Sequence, residues 1–226
     1  MSQTTDTPTL TSRLDDSVAH LATLAPAHLL AVLKGEQDRL VETDAAPGAS
    51  TGRVAVGDVF PQALLPDAQG ERVAVVGEEP AVVVFYRGTW CPFCNVALGA
   101  YQREVVPELR ERGVSFVAVS PQGPEGSADI ATAQDLTFPV LTDRGGVLAH
   151  TLGLDFDLAD DVSEVHRTLG NDFTQINAGG EWALPRPTVL VVDADRVVTF
   201  VDVQSDYTRR TEPQAILDAV RALPQA

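Results

Sequence analysis

No run of 18 or more apolar residues occurs in this 226-residue chain, which excludes a membrane-spanning helix. The opening residues, MSQTTDTPTLTSRLDDS, lack the basic start and apolar stretch of a secretory signal. The expected location is therefore the cytoplasm, where thiols are kept reduced. Basic residues are scarce: 16 Lys and Arg stand against 32 Asp and Glu, for a net charge of -16. An excess of that size repels phosphates and anionic headgroups, so nucleic acid and anionic membranes are excluded as partners. Lysine is nearly absent, Lys34 being the single one, a bias of composition with no bearing on mechanism. Cysteine is almost as rare, and the only two, Cys91 and Cys94, stand three residues apart. What the chain does have is a hydrophobic fraction of 44%. That is enough for the core of one moderately large domain, or one domain with an appendage, and it excludes a collagenous or disordered chain.

Residues 12–43 read as helical. Leu14, Val18, Leu21 and Leu24 recur at helical spacing, and Pro26 suits the first turn of a second helix carrying Leu29, Leu33 and Leu40. The small, turn-rich stretch TDAAPGASTG (43–52) reads as a linker. Beyond it, Asp67–Gly70 sits between two short strands as a hairpin turn. AVVVFY (81–86) is a continuous apolar run, as in a strand buried on both faces. Asn95–Arg112 is amphipathic, stops at Gly113, and should kink or break early at Pro107. VSFVAVS (114–120) and FPVLTD read as further strands. Helices are expected from Pro124 to about Leu136, over Gly145–Leu152 and over 212–223. PTVLVVDADRVVTFVDV reads as a hairpin turning at Asp193–Arg196, and 154–183 as a long loop with a short helix. Alternating strands and helices with a late antiparallel hairpin imply an α/β fold with a mixed sheet.

The cysteines lie where a buried strand runs into a helix, in VVVFYRGTWCPFCN. A free thiol is only a few per cent thiolate at neutral pH, and the thiolate is the nucleophile. Unsatisfied N–H groups and the positive end of the helix dipole stabilise that anion. Positions i and i+3 share a helix face at disulfide distance, and Pro92 is harmless in a first turn. The local geometry therefore predicts a low-pKa, reversible dithiol. Two plainer readings compete: structural core cysteines, and half of a zinc site. Zinc normally needs four ligands, and His20, His28, His150 and His166 form no matching pair. The histidines show no acid partner and read as structural. DFDLADD (155–161) reads as an acidic surface loop, and Gly145–Gly146 forms no phosphate-binding loop.

FYRGTWCPFCN, VSPQGPEGS, FPVLTD, WALPRPTVLVVDADR and DYTRRTEPQAIL together resemble a bacterial peroxiredoxin-like group within the alkyl hydroperoxide reductase and thiol-specific antioxidant family. The resemblance spans about 54–223. It implies a thioredoxin-like fold with a central mixed sheet flanked by helices, here in a domain over 54–226. A helical extension over 1–45 precedes it. The family motif Pro-x-x-x-Thr-x-x-Cys places Cys94 at its cysteine, while Cys91 stands at the threonine position and Arg87 at the proline position. Where the family carries an arginine before a later strand, this chain has Pro187, which resembles the cis-proline of thioredoxins, with Arg186 beside it.

The resemblance implies a thiol peroxidase acting on hydrogen peroxide or alkyl hydroperoxides and recycled by a thioredoxin-type dithiol. No cofactor and no metal are expected, and a homodimer is. A general dithiol–disulfide oxidoreductase and a non-catalytic redox sensor are the alternatives. The candidate site residues are Cys91, Cys94, Arg87 and Pro187. Family spacing selects Cys94 as nucleophile and thioredoxin logic selects Cys91, so the choice stays open at this level. Arg87 can charge the site or face solvent, as can Arg186. Trp90 is expected to pack as an apolar flank, and Pro187 to shape the site through a cis bond. Tyr207 and Arg209–Arg210 match the family pattern, but the residues alone suggest no role for them.

Overall fold

The computed structural model describes residues 8–224; residues 1–7 of the expected extension and 225–226 of the expected domain lie outside the described residues. Two helices come first, α1 (Leu10–Leu24) and α2 (Ala27–Ala45). A hairpin of β1 (Leu64–Pro66) and β2 (Arg72–Ala74) leads into β3 (Ala81–Phe85), α3 (Pro92–Glu104) and α4 (Val106–Glu111). Next are β4 (Ser115–Ser120), α5 (Pro124–Ala133), β5 (Val140–Thr142) and α6 (Val147–Thr151). Then follow β6 (Asp155–Asp157), α7 (Asp160–Thr168), α8 (Phe173–Ile176) and β7 (Ala183–Pro185). The chain closes with β8 (Thr188–Val192), β9 (Val198–Val203) and α9 (Pro213–Arg221).

The central sheet has five strands in the order β5-β4-β3-β8-β9. β3 pairs with β4 in parallel and with β8 antiparallel, Val83 lying opposite Val117 on one side and Leu190 on the other. Every residue of β3 is buried, as its unbroken apolar sequence requires of a middle strand. Val82, Val84 and Tyr86 point into one core, which holds both cysteines and residues of α1, α3 and α9. Ala81, Val83 and Phe85 point into a second, closed by Leu148, Ala149 and Leu152 of α6 and its C-terminal edge. This is the thioredoxin-like arrangement that the resemblance implied, and it sets the N-terminus of α3 at one end of the sheet.

Two expectations need correction and one is met. Of the α1 stripe, Leu14 is buried and Leu21 packs half-buried against the same core, whereas Val18 and Leu24 stay exposed. The 95–112 stretch breaks as expected, into two helices divided at Val105, and Pro107 sits in the first turn of the second, where its missing N–H costs nothing. The stretch 154–183 is not a loop: β6 pairs antiparallel with β7, and α7 and α8 lie between them. Three-residue strands paired across some 25 residues leave no periodic signal. The run DFDLADD divides between β6 and the first turn of α7, where Asp160 and Asp161 face the positive end of the helix dipole.

Candidate active site

The loop between β3 and α3 is built from its own short contacts. Gly88 adopts φ 147°, and a Cβ there would stand 2.4 Å from Trp90 Nε1, so a glycine is needed for the indole to lie across the loop. Gln122, at the end of β4, accepts from the Thr89 backbone N–H at 2.7 Å and donates to the Tyr86 hydroxyl at 2.8 Å. Asn95 donates to the Thr89 carbonyl at 2.9 Å. Cys91 is the N-cap of α3, Pro92 its first residue and Cys94 its third. Both cysteines are free thiols, and both are buried, at 1% and 0% exposure.

The two sulfurs differ in their partners. Cys94 Sγ receives Arg210 Nη2 at 2.9 Å and the Arg87 backbone N–H at 3.4 Å, whereas Cys91 Sγ lies 3.8 Å from the same Arg210 nitrogen. Burial alone would push the Cys94 thiol up. A hydrogen bond from Cys91, the Arg210 charge and the Arg87 N–H outweigh burial and hold it well below the usual cysteine range. Burial and the neighbouring Cys94 anion push Cys91 well up. The pair is thus organised as a thiolate at Cys94 and a thiol at Cys91.

Arg210 is the arginine that sequence reasoning left without a role. Its Nη1 donates to the Tyr207 carbonyl at 2.8 Å, which fixes the guanidinium after α3 has placed the sulfur. The Arg210 family match was the one signal available. Arg87, of uncertain direction in the sequence, is buried, with its guanidinium stacked 4.8 Å from the Trp90 ring centroid and 4.2 Å from that of Tyr207. Trp90 packs as expected, against His166 and Phe173 at centroid distances of 5.1 and 4.8 Å.

The N-terminal helices cover this site. Leu10 and Leu14 of α1 join the core that contains both cysteines. Glu212 accepts from the backbone N–H groups of Leu10 and Thr11 at 3.0 and 2.8 Å, and Arg209 reaches Asp15 at 2.7 Å. The Tyr207 hydroxyl donates to the Leu33 carbonyl of α2. Segment 207–212 therefore holds the thiolate's arginine and the helical cover together.

Two residues fall outside this constellation. Arg186 donates through Nε and Nη2 to Asp44 at 2.8 and 3.0 Å, with Arg53 and Ser205 on the same carboxylate at 2.9 and 2.6 Å. It ties the end of α2 to β7 and does not touch the sulfurs. Pro187 precedes β8 in a trans peptide, since no cis bond occurs among the described residues, so the expected cis-proline is corrected. Asp44, though buried, is lowered by its partners from the ordinary aspartate value. Its stabilising effect is thus complete above about pH 4 and lost as pH falls through the lowered value. Asp44→Asn is expected to cost about 3 kcal/mol by stranding Arg186, a fall in Tm of roughly 6–12 °C. Thiol alkylation rates should stay unchanged, which calorimetry and iodoacetamide labelling would check together.

One histidine departs from expectation. His150 Nδ1 lies 2.9 Å from Asp155 Oδ2, an exposed pair that raises the imidazole above its ordinary value. His166 is buried and pushed down to about 3, by burial and by Arg87. Among the described residues no group of three or more His, Cys, Asp or Glu side chains is placed to hold a metal ion, and no helix is long and apolar enough to cross a membrane.

A mixed five-stranded sheet, with a Cys-x-x-Cys pair opening the helix after its first central strand, defines a protein of thioredoxin-like class with paired free thiols. The chain belongs to the AhpC/TSA family, which matches residues 56–201. A putative peroxiredoxin of Mycobacterium tuberculosis is 34% identical over 95 residues, covering 41% of this chain and 60% of that protein. The thiol-disulfide oxidoreductase ResA of Bacillus cereus is 28% identical over 108 residues, covering 45% and 60%. The chain thus spans about 60% of the length of these curated relatives. Among solved structures, peroxidoxin BcpB from Mycobacterium tuberculosis superposes with a TM-score of 0.59 at 21% identity, over 76% of this chain and 99% of that one. That likeness concerns the fold. The match at 56–201 leaves α1, α2 and Arg210 outside the family segment.

Proposed function

We propose that the protein is a thiol peroxidase in which Cys94 is the attacking sulfur and Cys91 the resolving one. The observation that carries this reading is the Arg210 guanidinium at 2.9 Å from Cys94 Sγ, with the Arg87 N–H on the same atom. The Cys94 thiolate attacks one oxygen of a hydroperoxide. An S–O bond forms as the O–O bond breaks, sulfur is oxidised to a sulfenic acid, and the alkoxide or hydroxide leaves with a proton. Cys91 then attacks the Cys94 sulfur; the S–S bond forms, the S–O bond breaks, and the hydroxyl leaves with the Cys91 proton as water. A dithiol reductant of thioredoxin type reopens the disulfide by two exchange steps. Arg87 adds positive charge near the departing oxygen. Both sulfurs are almost wholly buried, so recycling by a protein dithiol requires the α1–α2 cover to shift.

General dithiol–disulfide exchange is the second reading, favoured by Cys91 at the N-cap of α3 and by the likeness to ResA. It is weakened by the environment of Cys91, where burial and the adjacent anion disfavour the thiolate that would begin exchange. The test compares peroxide-driven oxidation of a dithiol reductant with reduction of a disulfide-containing test protein. Sustained peroxide turnover with negligible disulfide reduction is expected; the opposite balance would replace the peroxidase with the oxidoreductase.

A further inference from the structure

Glu36 on α2 is a carboxylic acid sealed inside the protein within reach of the Arg87 charge, and neither of its oxygens has a hydrogen-bond partner. Its side chain is 0% exposed, and the nearest cation, Arg39 Nη2, stands 3.6 Å away. A buried carboxyl without partners is costly, so a fold that keeps one needs a compensating role for it. Around it are other buried polar atoms unmatched by protein: Nε and Nη2 of Arg87, Nε1 of Trp90, and both ring nitrogens of His166. These belong to one cluster. Tyr207 ties the Leu33 carbonyl, one turn before Glu36, to the ring face that carries the Arg87 guanidinium. Arg87 in turn lies over Trp90, and Trp90 against His166. Buried groups of this density are ordinarily linked by bound water.

The peroxidase chemistry proposed above leaves one requirement unmet. An alkoxide or hydroxide is a poor leaving group and needs a proton as the O–O bond breaks, yet Arg210 is committed to Cys94 and Cys91 must keep its proton for the resolving step. We propose that Glu36, carried to the Arg87 cluster by the N-terminal helices, supplies the proton to the departing oxygen through water held among Glu36, Arg87, Trp90 and His166. In the balanced step the Cys94 thiolate, the hydroperoxide and the neutral Glu36 acid give the sulfenic acid, an alcohol or water, and the Glu36 carboxylate. The carboxylate is reprotonated from solvent before the next turnover. The inference rests on the peroxidase reading and assigns the α1–α2 extension a chemical part in it.

Burial raises Glu36 above the ordinary glutamate value, against the opposing charges of Arg87 and Arg39, and Asp161 on α7 pushes the same way as burial. Of the other groups facing it, His166 is pushed down to about 3 and Tyr207 up to about 12, so neither titrates in the neutral range. Glu36 acts through water and not on the sulfur, which makes it a positioning residue for the proton.

The test uses the full chain and three reagents that differ in their leaving groups. tert-Butyl hydroperoxide releases an alkoxide that needs a proton; peracetic acid releases acetate and iodoacetamide releases iodide, which do not. Glu36→Gln is expected to slow oxidation by tert-butyl hydroperoxide by about 100-fold at pH 7, while the other two rates change less than about twofold. Glu36→Asp, which keeps an acid, should recover part of the loss. In the wild type, the tert-butyl hydroperoxide rate should fall with rising pH before the peracetic acid rate does. A parallel loss with all three reagents would mean that Glu36 only shapes the site, and an unchanged hydroperoxide rate would mean that it plays no part; either overturns the proposal. A wild type that reacts with hydroperoxide no faster than free cysteine would sink the peroxidase reading and this one with it, a failure visible before any substitution is made.

Discussion

The Cys94→Ser variant is expected to lose rapid reaction with hydroperoxide altogether, whereas Cys91→Ser should keep the first oxidation and accumulate a sulfenic acid at Cys94. The asymmetry follows from the partners of the two sulfurs. Arg210 and the Arg87 N–H converge on Cys94, so that sulfur is the one whose thiolate is favoured, and no other group in the site replaces it. Serine at position 91 can still donate a hydrogen bond to Cys94, so the thiolate survives, but the sulfenic acid then has no thiol neighbour to condense with. Stopped-flow oxidation followed by mass analysis separates the outcomes: the Cys94→Ser rate should drop by about a thousandfold or more, the usual scale for loss of a nucleophile. A fast phase that survives in Cys94→Ser and vanishes in Cys91→Ser would reverse the roles and restore thioredoxin logic.

Arg210→Met is expected to have the next largest effect. A charge pair at about 4 Å is worth about 4 kcal/mol at an effective dielectric constant near 20, and Arg210 stands closer than that to Cys94. Even half of that interaction, once lost, shifts the thiol–thiolate equilibrium constant toward the thiol by about 30-fold. The pH dependence carries the diagnostic sign. Cys94 is held well below the usual cysteine range, so wild-type alkylation by iodoacetamide should be level through neutral pH and fall only in acid. In Arg210→Met, burial is opposed by fewer charges, the thiol rises, and the same fall should occur at higher pH. Arg210→Lys, which keeps a charge but not the planar fork, should lie between. An unchanged profile in Arg210→Met would show that the helix terminus and the Cys91 hydrogen bond suffice, and that Arg210 is structural.

Much of the architecture was legible along the chain. AVVVFY is apolar at every position and became the fully buried middle strand β3. Asp67–Gly70 became a turn because Asp67 Oδ1 accepts from the N–H groups of Gln69 and Glu71. Cys91 and Cys94 fell in the first turn of α3 because Pro92 favours that position and a buried strand precedes it. In each case the deciding forces act between residues a few positions apart, which local patterning can express.

Tertiary structure alone decided the rest. The arginine on the thiolate comes from 116 residues beyond Cys94, and Arg186, better placed by family analogy, turns to Asp44, 142 residues away. No local rule distinguishes two arginines whose directions depend on which distant acid or anion packs against each. The buried carboxyl of Glu36 was equally silent, since a glutamate on an amphipathic helix reads as solvent-facing until the neighbouring helix and loop enclose it. The sequence by itself determined a thioredoxin-like sheet with a vicinal dithiol at a helix start. Which sulfur is the anion, and which charges face it, came only with packing, because charges in a low-dielectric interior respond to whatever the fold brings within a few ångströms of them.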